Sequence, residues 1–172
     1  MSDGSAIAVD VLVAAGPWPE HAEAAGLVTR AIRAAHKGAM EEYDLGIEQG
    51  EVAVMLTDDT GIRTLNLDWR SKDKATNVLS FPTPQVAREA GEPHLGDIAI
   101  AYETVAREAA AEEKSFDDHL THLAVHGMLH LLGFDHETPD EAEEMEAMER
   151  RILSGLGIAD PYAETEPVHQ TH

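Results

Sequence analysis

The 172-residue chain contains no cysteine. Disulfides are thereby excluded, as are thiolate-ligated zinc and iron–sulfur clusters. Any metal must be held by His, Asp or Glu. Basic residues are also scarce. Twelve Lys and Arg stand against 33 Asp and Glu, for a formal net charge of −21. That imbalance argues against broad non-specific binding to nucleic acid, which needs many cations near phosphates. Long apolar runs are missing too. No segment reaches 18 uncharged apolar residues, so no membrane association is expected. The opening MSDGSAIAVDVLVAAG has no basic region ahead of its apolar run and does not read as a secretion signal. The expectation is a cytoplasmic protein.

The apolar fraction of 43% allows an ordinary core. The few cations are unevenly placed. Arg63, Arg70, Lys72 and Lys74 fall together in GIRTLNLDWRSKDK, whereas acid collects in PDEAEEMEAMER. The whole-chain charge is therefore compatible with a local electropositive patch.

Patterning predicts a small α+β fold (mixed α/β) in one domain over residues 1–159, with 160–172 as a flexible C-terminal tail. Strands are expected at Ile7–Val13, Glu51–Thr57, Asn77–Phe81 and Gly96–Ala101, where branched residues run between breakers. Helices are expected from His21, from Asp58 or Asp59 to Leu67, through TVAREAAAEE, from Ser115 or Asp117 to Leu132, and from Pro139 to Leu153. Thr138-Pro139-Asp140-Glu141 carries the marks of a helix start: a capping hydroxyl, proline at the first turn and a capping-box glutamate. The segment Thr83 to Pro93 reads as a loop. The sum is a mixed, mostly parallel sheet of three to four strands with four to five helices, the histidine-bearing helix at the centre.

That helix contains HGMLHLLGFDH. His126 and His130 are four apart, so on a helix they share one face about 6 Å apart. Zn–N bonds are about 2.0–2.1 Å long, so this is a spacing at which two imidazoles can grip one ion. Gly133 breaks the helix and lets the chain present His136 from another direction. Three nitrogens then approach as one face of a tetrahedron, with the fourth position left to water. Burying three imidazoles together without a metal would demand three sets of hydrogen-bond partners. His119 and His122 lie on the same helical stripe as alternative ligands or supporting groups. Peptidases of the H-E-x-x-H type carry a glutamate base directly after the first histidine. Here that residue is Gly127, which disfavours proteolysis. In the acidic last helix Met145, Met148 and Ile152 form a possible inner face, and the carboxylates read as a solvated face.

LNLDWRSKDKATNVLSFP, LGDIAIA and HGMLHLLGFDH, in that order along the chain, resemble the motifs of the bacterial YbeY family of endoribonucleases. The likeness spans roughly Val52 to Arg151. It implies a small mixed sheet with surrounding helices and one zinc ion per chain on His126, His130 and His136. It implies that Arg70 is the active-site arginine, where a guanidinium fork can hold two phosphate oxygens at once. It further implies a single-strand-specific RNA hydrolase in ribosomal RNA maturation, at the 3′ end of the small-subunit RNA, and in ribosome quality control. Small-subunit ribosomal proteins and an assembly GTPase are the implied partners. Lys72 and Lys74 are candidates for flanking phosphates, Asp73 for orienting Arg70, and Asn77 and Ser80 for lining the groove. Asp97, His122 and Asp135 are candidates for supporting the ligands. The nucleophile is left open between water and the RNA 2′-hydroxyl. Two rival functions stand beside this one: a zinc hydrolase with another substrate, and an assembly factor with a structural zinc. A water in the fourth metal position marks catalysis and a fourth protein ligand marks structure.

Overall fold

The computed structural model describes residues 6–162. Ile7–Val13 forms β1 and Gly50–Thr57 forms β2. They pair in parallel, from Ile7 opposite Gly50 to Val13 opposite Leu56, and the helix Ala24–Glu42 (α1) connects them. This helix begins later than the alanine-rich pattern predicts. Pro17 and Pro19 flank Trp18 in a single 3-10 turn, and proline ahead of a helix fixes the entering chain. Trp18 is buried, and its indole N–H donates to the Thr57 carbonyl at 2.9 Å, tying the turn to the end of β2.

Asp58 caps the next helix, Asp59–Arg70 (α2), by accepting from the Gly61 N–H at 2.8 Å. Ser71 closes it in the left-handed region at φ 60°. Val78–Pro82 (β3), Gln85–Glu89 (α3) and His94–Ala101 (β4) follow. The strand order is β1-β2-β4-β3; β3 alone runs antiparallel. The helices Tyr102–Ala111 (α4), Phe116–Leu131 (α5) and Pro139–Gly155 (α6) complete the described chain.

The mixed, mostly parallel sheet agrees with the sequence pattern. The helix number does not: among the described residues there are six, not four to five. The extra one is α3, inside the stretch read as loop. Pro84 enters it and five residues complete it, too short to leave a periodic signal.

Each face of the sheet packs differently. Val52, Val54, Leu56, Ile98 and Ile100 join α1, α5 and α6 in the main core. On the opposite face Ile62 of α2 packs with Leu79, Ala99 and Ala101. Ten of the sixteen α5 residues are buried, which makes it the central helix. Burying each large aliphatic side chain contributes about 1.5–3 kcal/mol, so residues such as Leu120 and Leu129 fix α5 firmly on the sheet. No helix among the described residues is long and apolar enough to cross a membrane. Of the stretch 160–172 assigned to a tail, residues 163–172 lie outside the described residues. Pro161 is buried, and the Tyr162 ring lies 5.3 Å from the Arg150 guanidinium.

Candidate metal centre and the cleft beside it

Ser115 starts α5 by accepting from the Asp118 N–H at 3.0 Å. His126 and His130 then sit on successive turns near its C-terminus. Gly133 stops the helix at φ 108°, a left-handed conformation that glycine adopts freely. The Phe134 N–H reaches back to the Leu129 carbonyl at 3.0 Å, closing the last turn in a Schellman-type motif. The chain doubles back and brings in His136.

One nitrogen from each of His126, His130 and His136 lies within 4.8 Å of the other two. The Nε2 atoms of His126 and His130 are 3.2 Å apart. Two imidazole nitrogens bound to one tetrahedral zinc stand about 3.3 Å apart, so this donor set fits such an ion. Among the described residues no carboxylate joins the cluster as a fourth donor. Asp135 is occupied locally, its Oδ1 accepting from the His136 N–H at 2.8 Å. Burial, together with the neighbouring His126 and His136, pushes the His130 imidazole down to about 4. It is therefore neutral near pH 7, with a lone pair to offer.

A residue the sequence pattern assigned to solvent completes the arrangement. Glu149 of α6 is fully buried, not part of a solvated acidic face. Its Oε2 lies 2.6 Å from His126 Nδ1 and its Oε1 lies 2.8 Å from His122 Nε2. The Tyr162 hydroxyl also donates to it. Burial alone would raise this carboxyl; the hydrogen bonds from His122 and His126 outweigh that and hold it at about 2. Because Glu149 takes the Nδ1–H of His126, the Nε2 lone pair is left to face the cluster. His122 holds the same carboxylate from outside the cluster, and His119 lies apart from it, bonded to Glu108 at 2.9 Å. The signal for Glu149 was its helical phase: it follows Met145 by four and precedes Ile152 by three, on the inner stripe.

The cluster opens into a cleft of about 880 Å³ whose cations are Arg70, Lys72 and Arg88. Arg70, the last residue of α2, donates from Nη2 to the Ser80 carbonyl at 2.6 Å, and its guanidinium lies 5.5 Å from the Phe81 ring centre. The hydroxyl of buried Ser80 donates in turn to the Gly127 carbonyl at 3.1 Å. Ser80 thus couples the arginine to α5. A β-carbon on Gly127 would lie 3.2 Å from both Ile98 Cγ2 and Ser80 Oγ. The position after His126 faces the sheet, so a peptidase-type base has no room there.

Arg88 escaped the sequence reading because it lies in the Pro- and Gly-rich stretch before β4. Its Nε and Nη1 are buried with no hydrogen-bond partner among the described residues. Other candidates divide as follows. Lys72 and Asn77 line the cleft, and Asn77 donates to Glu108 at 3.0 Å. Lys74 is exposed outside it, its carbonyl held by Asn66 at 3.0 Å. Asp73 pairs with Arg63 at 2.6 Å, which lowers its carboxyl below the usual range, and not with Arg70. Asp97 is exposed, paired with His94 at 3.0 Å, and borders the opposite face of the sheet.

Residues 20–157 match the family model described as Endoribonuclease YbeY. A relative named Endoribonuclease YbeY from Rhodopseudomonas palustris is 55% identical over 175 residues, covering 98% of this chain and 88% of its own. A second of that name, from Bradyrhizobium diazoefficiens, is 55% identical over 164 residues, covering 93% and 87%. Among solved structures, the solution structure of a Thermotoga maritima protein superimposes with a TM-score of 0.54 at 22% identity. It covers 89% of this chain and 97% of that one, a likeness of fold.

Proposed function

Because the chain belongs to the YbeY family of endoribonucleases, we propose that its histidine cleft cuts single-stranded RNA during ribosomal RNA maturation, assisted by one zinc ion. The observation that carries this reading is the convergence of three imidazole nitrogens, braced by a buried carboxylate, in a cleft that also holds two arginines.

Zinc held by His126, His130 and His136 would supply a Lewis acid that draws charge from a phosphoryl oxygen and acidifies water. The protein's own side chains have distinct tasks. Glu149 fixes the His126 tautomer and ring plane. Ser80 and Phe81 hold Arg70 by one nitrogen and one face, leaving its other donors for a phosphate. Negative charge grows on the non-bridging oxygens as the phosphodiester is cleaved, and a planar fork meets two of them together. Arg88 brings a second guanidinium to the wall of the cleft, where its charge can meet a further phosphate.

The net charge of −21 opposes long-range attraction of RNA. It suits docking on basic small-subunit ribosomal proteins; an assembly GTPase as partner, a cytoplasmic setting and a part in ribosome quality control follow from the family likeness. The test is metal content and RNA cleavage of untagged wild type, His126→Ala and Arg70→Ala. The expected result is about one zinc per chain, lost with His126, and single-strand cleavage lost in both variants. Bound zinc without cleavage on RNA or on ribosomal particles would replace this reading with a structural zinc in an assembly factor.

A further inference from the structure

We propose that the apolar groove on the opposite face of the sheet is a nucleobase subsite, in which an unpaired base of the RNA stacks on Trp69. The inference rests on the RNA reading above and names a part of the substrate that the metal cleft does not reach. The groove has a volume of about 490 Å³ and is walled by Leu12, Met55, Leu65, Trp69 and Phe81. Trp69 is 72% exposed, whereas Trp18, the other tryptophan of the chain, is 1% exposed.

Three relationships point to a base as the occupant. The groove and the metal cleft share the wall Pro82, Thr83 and Pro84, so a single strand can pass from one to the other. Trp69 and Arg70 are adjacent in sequence and both lie against Phe81: the indole at 6.3 Å in an edge-on arrangement, the guanidinium at 5.5 Å. A phosphate on Arg70 therefore places the neighbouring base within reach of the indole face. The third relationship is charge. The groove carries Asp10 and Asp97, which repel a phosphate backbone but accept hydrogen bonds from the amino groups of bases. Uncharged, flat and amine-bearing describes a nucleobase. A duplex keeps its bases stacked and paired, so only an unpaired strand can fill the site.

The test uses intrinsic fluorescence, because only one of the two indoles faces solvent. Metal-stripped full-length chain is titrated with a single-stranded RNA oligomer, the same sequence as a duplex, and an abasic oligomer of equal phosphate count, and cleavage of the single strand is followed separately with the zinc-loaded chain. The proposal expects quenching by the single strand alone. It expects Trp69→Ala to weaken single-strand binding by about tenfold and Trp69→Phe to retain most of it. A single strand that is bound and cleaved equally by wild type and Trp69→Ala, without quenching, would overturn the subsite while leaving the metal-cleft reading intact. Equal quenching by the abasic oligomer would overturn it as well, as would a concentration-dependent blue shift of Trp69 that single strands cannot compete away, which would mark a second copy of the chain as the occupant. Failure of the wild type both to bind and to cleave any RNA would remove the subsite together with the reading on which it rests.

Discussion

Glu149 Oε2 lies 2.6 Å from His126 Nδ1, and the carboxylate that makes this contact has no exposure to solvent. A buried anion persists only when its oxygens are satisfied; here His122, His126 and Tyr162 all converge on it. Its depressed pKa, about 2, keeps it ionised over the working range of pH. Glu149→Gln presents an amide N–H to one of the two histidines in place of an acceptor. Zinc affinity is expected to fall by about 10–100-fold, as is usual when a ligand loses its orienting partner. Competition against a coloured chelator measures it; an unchanged affinity would show that Glu149 serves the core alone.

Arg70 offers a sharper separation of binding from chemistry. Its donors touch no histidine ligand, so Arg70→Ala and Arg70→Lys should both keep full zinc content. Cleavage should drop by about 10²–10³-fold in Arg70→Ala, the usual cost of removing a preorganised donor to developing charge. Arg70→Lys should recover little, because an ammonium cannot make the bidentate contact. Full recovery by lysine would assign Arg70 to general electrostatics.

Arg88 lines the cleft, and two of its guanidinium nitrogens are buried with no hydrogen-bond partner among the described residues. Arg88→Gln should raise KM more than it lowers kcat. It should also reduce the salt dependence of single-strand binding by about one charge equivalent. Equal salt slopes for variant and wild type would mean that no phosphate reaches Arg88.

Gly127 tests the exclusion of peptidase chemistry. Gly127→Glu drives a carboxylate against Ile98 and Ser80, overpacking the helix–sheet contact and burying an unpaired charge. The expected loss is more than about 3 kcal/mol, seen as a Tm drop of roughly 10 °C, with no gain of peptidase activity. A stable, zinc-loaded Gly127→Glu protein would show that this position does reach the cleft.

The histidine site was legible because i, i+4 spacing and a helix-stopping glycine are local features, and His126, His130, Gly133 and His136 hold all of them. Supporting residues were harder to read because they arrive from distant elements. Glu149 sits in a run crowded with carboxylates, where only its phase with Met145 and Ile152 distinguishes it from solvated neighbours. Arg88 depends on α3, a helix too short to have a period. For Asp97, alternation along β4 sets the face: Asp97 is exposed whereas Ile98 is buried under α5, so it lies across the sheet from the ligands. The parallel core was visible in Ile7–Val13 and Glu51–Thr57 because branched runs between breakers carry their own strand signal.

His136 separates the metal from the fold. It is the exposed member of the three-histidine cluster and lies beyond the end of α5, so its side chain contributes little to the core. His136→Ala should leave the Tm of the metal-free protein within about 2 °C of wild type, as expected for an exposed position outside the core. The response to zinc should differ. At a free zinc concentration of a hundred times Kd, binding to the native state adds about 2.7 kcal/mol, a rise of roughly 5–10 °C for a domain of this size. Wild type should show that rise and lose it on chelation, whereas His136→Ala should show little of it at the same free zinc. Differential scanning calorimetry of both proteins, with and without chelator, makes the comparison. If wild type and His136→Ala rise together, the ion is held elsewhere and the three-histidine centre is wrong.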